Sequence, residues 1–418
     1  MNTLPSLPRA ALSSLLLIAA LALGGCVSTT VKKVNSVKVE TAVAELPPEQ
    51  LLEVAIIPFN PGVPDTLKEQ EKQNISPAVR EAESKYMAHV LRQTLQDSGY
   101  WGAARVVPAA SPGADLTIKG KILASDGEIM KIAIEATDAT GRKWLDKTYE
   151  ETAAEYAYTE KLPAGSDPFQ DLYSRVANDL LVERKSLSAA KLKDINRVAE
   201  LRFAADLAPA RFGEYLKTDG KGSYAVTRLP PEGDPFITRV DQIRSRDELL
   251  IDTLDQHYGA FRQSVGKSYQ EWRKSSYREA QAYRELRNQE ITRKILGAAA
   301  VIGGIYAATT ANNAGTSALG QVAVIGGIYG FKSGLDKGSE KKIHAEALKE
   351  LTGSLGTEVQ AQNVDLDGKT VKLSGSAEEQ YNQWREQLRE LYTIETGLPA
   401  TAPKPAAKPA AKPTTTGS

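Results

Sequence analysis

The chain predicts an α+β protein: an α+β domain, then long helices, a Gly-rich helical hairpin and a small C-terminal ββα unit. Three observations carry this class. Short apolar runs rich in β-branched residues lie between residues 51 and 152, and several alternate with period two. From residue 236 onward helical spacing replaces that alternation, with apolar residues recurring over many turns. Near the C-terminus an Asp-Gly turn between two short strands precedes one amphipathic helix.

In chain order, Arg9 precedes an apolar run from Ala10 to Leu23, and the small residues Gly24 and Gly25 precede Cys26, the only cysteine of 418 residues. This is the tripartite pattern of an export leader. Leu23-Gly-Gly-Cys26 resembles the lipobox of bacterial lipoproteins. The resemblance implies cleavage between Gly25 and Cys26, a diacylglycerol thioether on Cys26 and an acylated new N-terminus, an anchor of several acyl chains at about 0.8 kcal/mol per buried methylene. A lone cysteine also has no disulfide partner in an oxidising compartment. Val27, in place of an aspartate, implies sorting to the outer membrane in that family. Residues 1–25 are thus the expected leader and residues 26–50, with Pro47 and Pro48, a lipidated tether.

Leu51 to Phe59 predicts a buried strand closed by the Asn60-Pro61-Gly62 turn. Pro77 to Ser98 predicts a helix with Val79, Tyr86, Val90, Leu91 and Leu95 on one face and Gly99 at its end. Ala104 to Val107 is a second short strand. Ala114 to Ser125 and Met130 to Ala136 alternate, Asp138-Ala-Thr-Gly-Arg142 is a hairpin turn, and Lys143 to Thr152 is the partner strand. A helix from Phe169 to Leu181 completes residues 51–182. This order, with Val54 to Phe59, Ala114 to Gly120 and Asp138 to Trp144 as its marks, resembles the periplasmic fold of the TolB amino-terminal domain and of the curli and Pel export lipoproteins. The resemblance implies a domain that binds partners or forms rings without catalytic residues. The unit holds no long membrane hairpin strands, so a scaffold is expected from it and not a channel.

Residues 183–294 are expected to be helical, interrupted by Pro209 and by a hinge or short hairpin at Thr218 to Pro235, where Tyr224 and Val226 alternate. Asp234-Pro235 is an N-cap followed by a first-turn proline. Beyond it, Leu250, Phe261, Trp272 and Tyr283 recur every eleven residues, as do Leu254 with Val265 and Tyr258 with Tyr269. That step keeps one apolar stripe on a nearly straight helix or a slightly right-handed supercoil. The stripe is either a stalk or oligomer seam, or a face packed on the first domain or on the helix near 183–217. Gly259 and Gly266, which weaken a free helix, favour packing.

Residues 295–338 form the expected hairpin. The 37 residues between Lys294 and Lys332 carry no formal charge, and Ala-Val-Ile-Gly-Gly-Ile-Tyr occurs at 300–306 and again at 323–329. Asn312-Asn313 marks the turn, and small residues recur every four places in each arm. Gly303, Gly304, Gly326, Gly327, Gly330 and Gly334 are the candidate helix-packing or membrane residues, because glycine stripes let backbones approach closely. The pattern resembles the glycine-zipper segments of outer-membrane lipoproteins. Each arm is short and poor in Leu and Phe for a membrane span. Arg293, Lys294, Lys332 and Lys337 flank both outer ends. Burial in the outer membrane and burial within the protein or an oligomer both stay open.

Residues 339–398 are expected to be a helix and the ββα unit. There Val364 to Leu373 turns at Asp367-Gly368, and Tyr381, Trp384, Leu388 and Leu391 line one helix face. Residues 399–418, rich in Pro, Ala and Lys, cannot form a core and are expected to be a disordered tail.

Lys and Arg number 52 against 52 Asp and Glu, so no global field draws nucleic acid. His89, His257 and His344 lie far apart, which argues against a metal site. No cofactor loop, Gly-x-Ser-x-Gly, His-Glu-x-x-His or P-loop occurs; Ser188-x-x-Lys191 and Ser264-x-x-Lys267 lack the companion motifs of acyl-serine enzymes. The expected protein is a non-enzymatic lipoprotein of the Gram-negative outer membrane. It is held on the periplasmic side by membrane lipid through Cys26 and acts as a scaffold on envelope proteins. The alternative is a homo-oligomeric export or pore component packed through its glycine hairpin.

Overall fold

The computed structural model describes residues 37–73, 75–159, 167–220, 222–310, 362–366, 369–374 and 376–397. The class is α+β. Strands β1 (Val54–Ile56), β2 (Ala104–Val106), β3 (Leu116–Ser125), β4 (Ile129–Asp138) and β5 (Lys143–Thr152) form one mixed sheet in the order β2-β1-β3-β4-β5. β1 lies parallel to both neighbours, with Val54 opposite Ala104 on one side and Leu116 on the other. β3 to β5 make an antiparallel meander, Ile122 facing Ile132 and Ala136 facing Leu145.

β1 stops at Ile56, three residues before the expected end. Pro58 has no N–H to give the ladder, and Phe59 turns its N–H to Ser84 O instead. The Phe59 ring then lies against Gly120, where a Cβ would come within 2.4 Å of Cδ1, so the open position in β3 accommodates the aromatic. The following turn is closed by Asn60 Oδ1, which accepts from Gly62 N at 2.9 Å.

Two short helices were not visible as a pattern: α1 (Leu67–Lys72) and α3 (Tyr156–Thr159). Helix α2 (Pro77–Ser98) ends at Gly99 with φ 70°, as its glycine predicts. With α4 (Gln170–Lys185) it covers one sheet face, where Ile56, Leu116, Ile118, Ile122, Ile132 and Ile134 are buried. Behind the other face of β1 and β2 lie Ala55 and Val107, covered by α5 (Ala189–Leu207). Across β3 and β4 that face carries exposed Lys119, Lys121 and Glu135.

The part of the expected tether that is described does not stand off the body. Val37 N donates to Asp171 Oδ1 at 3.1 Å, Glu40 N to Asn178 Oδ1 at 3.0 Å and Ala42 N to Ser98 O at 2.8 Å, so residues 37–42 run along α4 to the end of α2. Backbone amides unmatched in the chain's own turn chemistry find acceptors on those helices.

After α6 (Pro209–Phe212), a hairpin of β6 (Leu216–Thr218) and β7 (Tyr224–Val226) docks on the turn between β4 and β5, where Tyr224 N donates to Thr140 O at 2.8 Å. Helix α7 (Pro235–Thr310) follows. Asp234 Oδ1 caps it, accepting from Phe236 N at 2.8 Å. Over 76 residues it would measure about 114 Å at about 1.5 Å per residue, and it runs unbroken through residues 294 and 295, so the striped helix and the first glycine-rich segment are one element. Strands β8 (Gln362–Leu366) and β9 (Lys369–Leu373) pair antiparallel, and α8 (Ala377–Thr396) begins with a capping box of Ser376 and Glu379. Its Tyr381, Trp384, Leu388 and Leu391 are buried, as their spacing predicts.

Candidate functional site

The chemistry of the chain concentrates where α7 crosses the body. The helix first packs through Val240, Ile243, Leu250, Ile251 and Leu254 in the core formed with α5 and α8. It next passes the free edge of the sheet. Asp255 Oδ1 accepts from Val106 N at 2.8 Å, satisfying an edge-strand donor, and Arg92 Nη2 pairs with the same carboxylate at 3.0 Å. Arg105 on β2 reaches back, its Nε 2.5 Å from Asp252 Oδ1. Tyr258, Val265, Tyr269 and Trp272 then enter the core beneath α2. Gly259 permits this approach, since a Cβ there would lie 3.1 Å from His89 Nε2. The eleven-residue stripe is therefore a packed face from Leu250 to Trp272.

A buried ion pair locks the far end of the contact. Arg273 Nη1 lies 2.6 Å from Asp167 Oδ2, and both side chains are wholly buried. The guanidinium carbon sits 4.0 Å from the ring centre of Tyr269, with the rings of Tyr86 and Phe169 at 5.2 and 5.3 Å. Tyr86 OH donates to Asp167, and Asp167 Oδ1 also accepts from Phe169 N, so the carboxylate ties α7, α2 and the start of α4 together. Beside it, Glu83 Oε1 accepts from Tyr269 OH at 2.8 Å and from Ser125 Oγ at 2.5 Å. Burial pushes the Glu83 carboxyl up, against the pull of Arg80. Farther along, Arg284 pairs with Asp126 at 2.6 Å and with Glu128 in the β3–β4 turn.

A small cleft of about 40 Å³ opens on the other side of the edge, between the start of β1, the segment before β3, α5 and α7. Glu53, Arg105, Ser111, Arg244, Asp247 and Glu248 supply its polar groups; Val107, Phe203 and Ile251 are among its apolar ones. Arg105 Nη1 and Arg244 Nη2 approach Glu53 Oε2 at 3.4 and 3.8 Å, and Arg244 Nε is 3.1 Å from Glu248 Oε1. Asp247 Oδ2 faces Arg385 Nη1 at 3.3 Å and Tyr381 OH at 3.4 Å, joining α8 to α7. Next to the cleft, Asp115 Oδ2 accepts from Glu53 N at 2.8 Å, and burial pushes the Asp115 carboxyl up to about 7.

The Ser-x-x-Lys pairs have helical roles. Ser188 Oγ accepts from Lys191 N as the N-cap of α5, and Ser264 Oγ donates to Phe261 O at 2.8 Å. Among the described residues no group of three or more His, Cys, Asp or Glu side chains is placed to hold a metal ion, and no helix is long and apolar enough to cross a membrane. Gly303 and Gly304 lie on the α7 backbone. Gly25, Cys26, Gly326, Gly327, Gly330 and Gly334 lie outside the described residues, as do the turn at Asn312-Asn313, the helix expected between residue 339 and the ββα unit, and the 399–418 tail.

Sequence reasoning missed Asp115, Asp167, Asp247, Asp255 and Arg273. Each is a charged residue whose burial depends on partners distant in sequence. Asp255 and Arg273 had a local sign, adjacency to Leu254 and to Trp272 on the stripe. Compared with protein-family models, curated proteins and solved structures, the chain matches none.

Proposed function

We propose that this chain is a lipid-anchored, non-enzymatic scaffold of the Gram-negative outer membrane, presenting its α+β body to envelope proteins on the periplasmic side. Cys26 is the lipid site, after cleavage at Gly25, and the glycine-rich segment with Gly303, Gly304, Gly326, Gly327, Gly330 and Gly334 is a second attachment or packing element. The observation that carries the scaffold reading is the continuity of α7. One helix is locked to the body by the pair of Arg273 and Asp167 and runs on to Thr310, into the first glycine stripe. A helix held at one end transmits position from that stripe to the body, which suits an assembly part.

Replacing Cys26 by Ser is expected to move the protein from the outer-membrane fraction to the soluble periplasm; retention after an alkaline carbonate wash would point to the glycine segment as an independent anchor. The same continuity favours a second reading, an oligomeric export or pore component assembled through the glycine hairpin. Changing Gly326, Gly330 and Gly334 to Leu removes the close helix approach. On that reading crosslinked oligomers collapse to smaller species, whereas an unchanged ladder rules it out and leaves the scaffold.

A further inference from the structure

The segment upstream of β1 and the helix α7 follow the body in one direction. Residues 37–42 run from the end of α2, where Ala42 N donates to Ser98 O, to the first turn of α4, where Val37 N donates to Asp171 Oδ1. Asn178 clamps this strap between the two points, accepting from Glu40 N and donating to Lys38 O at 2.9 Å. Followed upstream, the strap therefore runs against α2. So does α7 followed downstream: Asp255 meets Arg92, Gly259 faces His89, the Arg262 guanidinium sits over the Tyr86 ring and Tyr269 reaches Glu83. Asp167, just before α4, then holds Arg273, and Arg284 pairs with Asp126 and Glu128 in the β3–β4 turn, the last contact of α7 among the described side chains. The start of α4 lies at that same end of the sheet, since Arg175 pairs with Glu151 late in β5, whereas Glu183 at the end of α4 meets Arg142 in the β4–β5 turn. Strap and helix leave from one end. The opposite end carries the β6–β7 hairpin, docked through Tyr224 N on Thr140 O.

The lengths of the two segments agree with a shared destination. Eleven residues of chain lead from Cys26 to Val37 and span at most about 40 Å when fully extended. In α7, Ile295, the first residue of the uncharged run, stands eleven residues beyond Arg284, about 17 Å along the helix. A surface at that distance from the β3–β4 turn is within reach of both. We propose that the end of the body formed by the β3–β4 turn and the start of α4 faces the lipid surface, so that the tether and α7 meet one leaflet side by side and the β6–β7 hairpin points away from it. This rests on the lipid-anchor reading above and adds to it which face of the body meets the membrane. Cations at this end are matched by acids, Lys131 by Glu150 and Arg284 by Asp126 and Glu128. Attachment through the chain therefore sets the orientation, rather than attraction of the body to phosphates.

The test uses the full acylated chain in vesicles of phosphatidylethanolamine and phosphatidylglycerol that carry a rhodamine-headgroup lipid as energy-transfer acceptor. With Cys26 blocked as a thioether, one introduced cysteine takes a fluorescein donor. Strand β5 is the ruler: Thr152, opposite Ile129 at the lipid-facing end, and Lys143, opposite Thr137 at the far end, are both exposed and stand about 30 Å apart. Transfer at least about twofold higher from Thr152→Cys than from Lys143→Cys is the expected result for labels at that separation. Glu81→Cys on α2 and Ser223→Cys on the hairpin, both exposed, repeat the comparison where a strand variant folds poorly. Flotation with the vesicles and the mass of the N-terminal peptide are read alongside. A chain that neither floats nor carries acyl groups overturns the lipid-anchor reading and the orientation with it. An acylated, floating chain with a smaller contrast, or with the order reversed, overturns the orientation alone.

Discussion

Arg273 shows how a single charge is made tolerable in a core. An isolated guanidinium among Tyr86, Phe169 and Tyr269 would be strongly unfavourable, and Asp167 Oδ2 at 2.6 Å offsets that while tying three elements to one point. Removing one partner leaves the other buried and unpaired. Asp167→Asn, which keeps an acceptor for Phe169 N, is expected to lower unfolding free energy by about 3–5 kcal/mol. Adding Arg273→Met should recover more than half of that loss, because the charge is removed and only packing changes. Urea denaturation of the two variants and the parent checks this; a loss under about 1 kcal/mol in Asp167→Asn would mean that water already reaches the pair. The pair was not legible in the sequence, since 106 residues separate its members and neither breaks the local pattern.

Among the elements, α7 was the most legible over its first half and the least over its second. Residues spaced by eleven make a stripe at any depth of burial, so periodicity alone left stalk and packed face open; Asp255 on the β2 edge and Tyr269 on α2 settle Leu250 to Trp272 as packed. Its two interior glycines are not equivalent. Gly266 has no atom within 4 Å of a built Cβ, whereas at Gly259 that Cβ would crowd His89 at 3.1 Å. Gly266→Ala is therefore expected to stabilise the protein by about 0.8–1 kcal/mol through backbone entropy, and Gly259→Ala by clearly less. Thermal denaturation distinguishes them, and an equal gain at both sites would show that His89 yields freely. The small helices α1 and α3 span 6 and 4 residues, too few turns to show an apolar face.

For the molecule as a whole, two buried groups set opposing responses to pH. Asp115 titrates at about 7 in the fold because burial disfavours its anion, against an ordinary 3.8. The folded state then holds a proton that the unfolded state releases, so stability falls as pH rises from about 4 to 7. His89 is lowered from 6.5 to about 4, by burial first and then by Arg262 and Arg92. Here the unfolded state binds the extra proton, and stability rises with pH over about 4 to 6.5. The two slopes oppose below about 6.5. Asp115→Asn, which retains an acceptor for Glu53 N, is expected to gain about 2 kcal/mol more stability at pH 8 than at pH 4.5, half of what a full three-unit shift would give once water penetration is allowed for. Melting curves at the two pH values test it, and equal gains would place Asp115 in contact with water. The strands and long helices with their order, the α2 and α8 faces and the hairpin turn at Asp138 were legible in the chain, because each depends on neighbours within a few residues. The covered edge of β2, the cleft of Asp247 and Glu248, the docking of residues 37–42 on α4 and the lock of Arg273 on Asp167 were not. Those are encounters between segments far apart in sequence, whose energies arise from burial and charge pairing that no local pattern encodes.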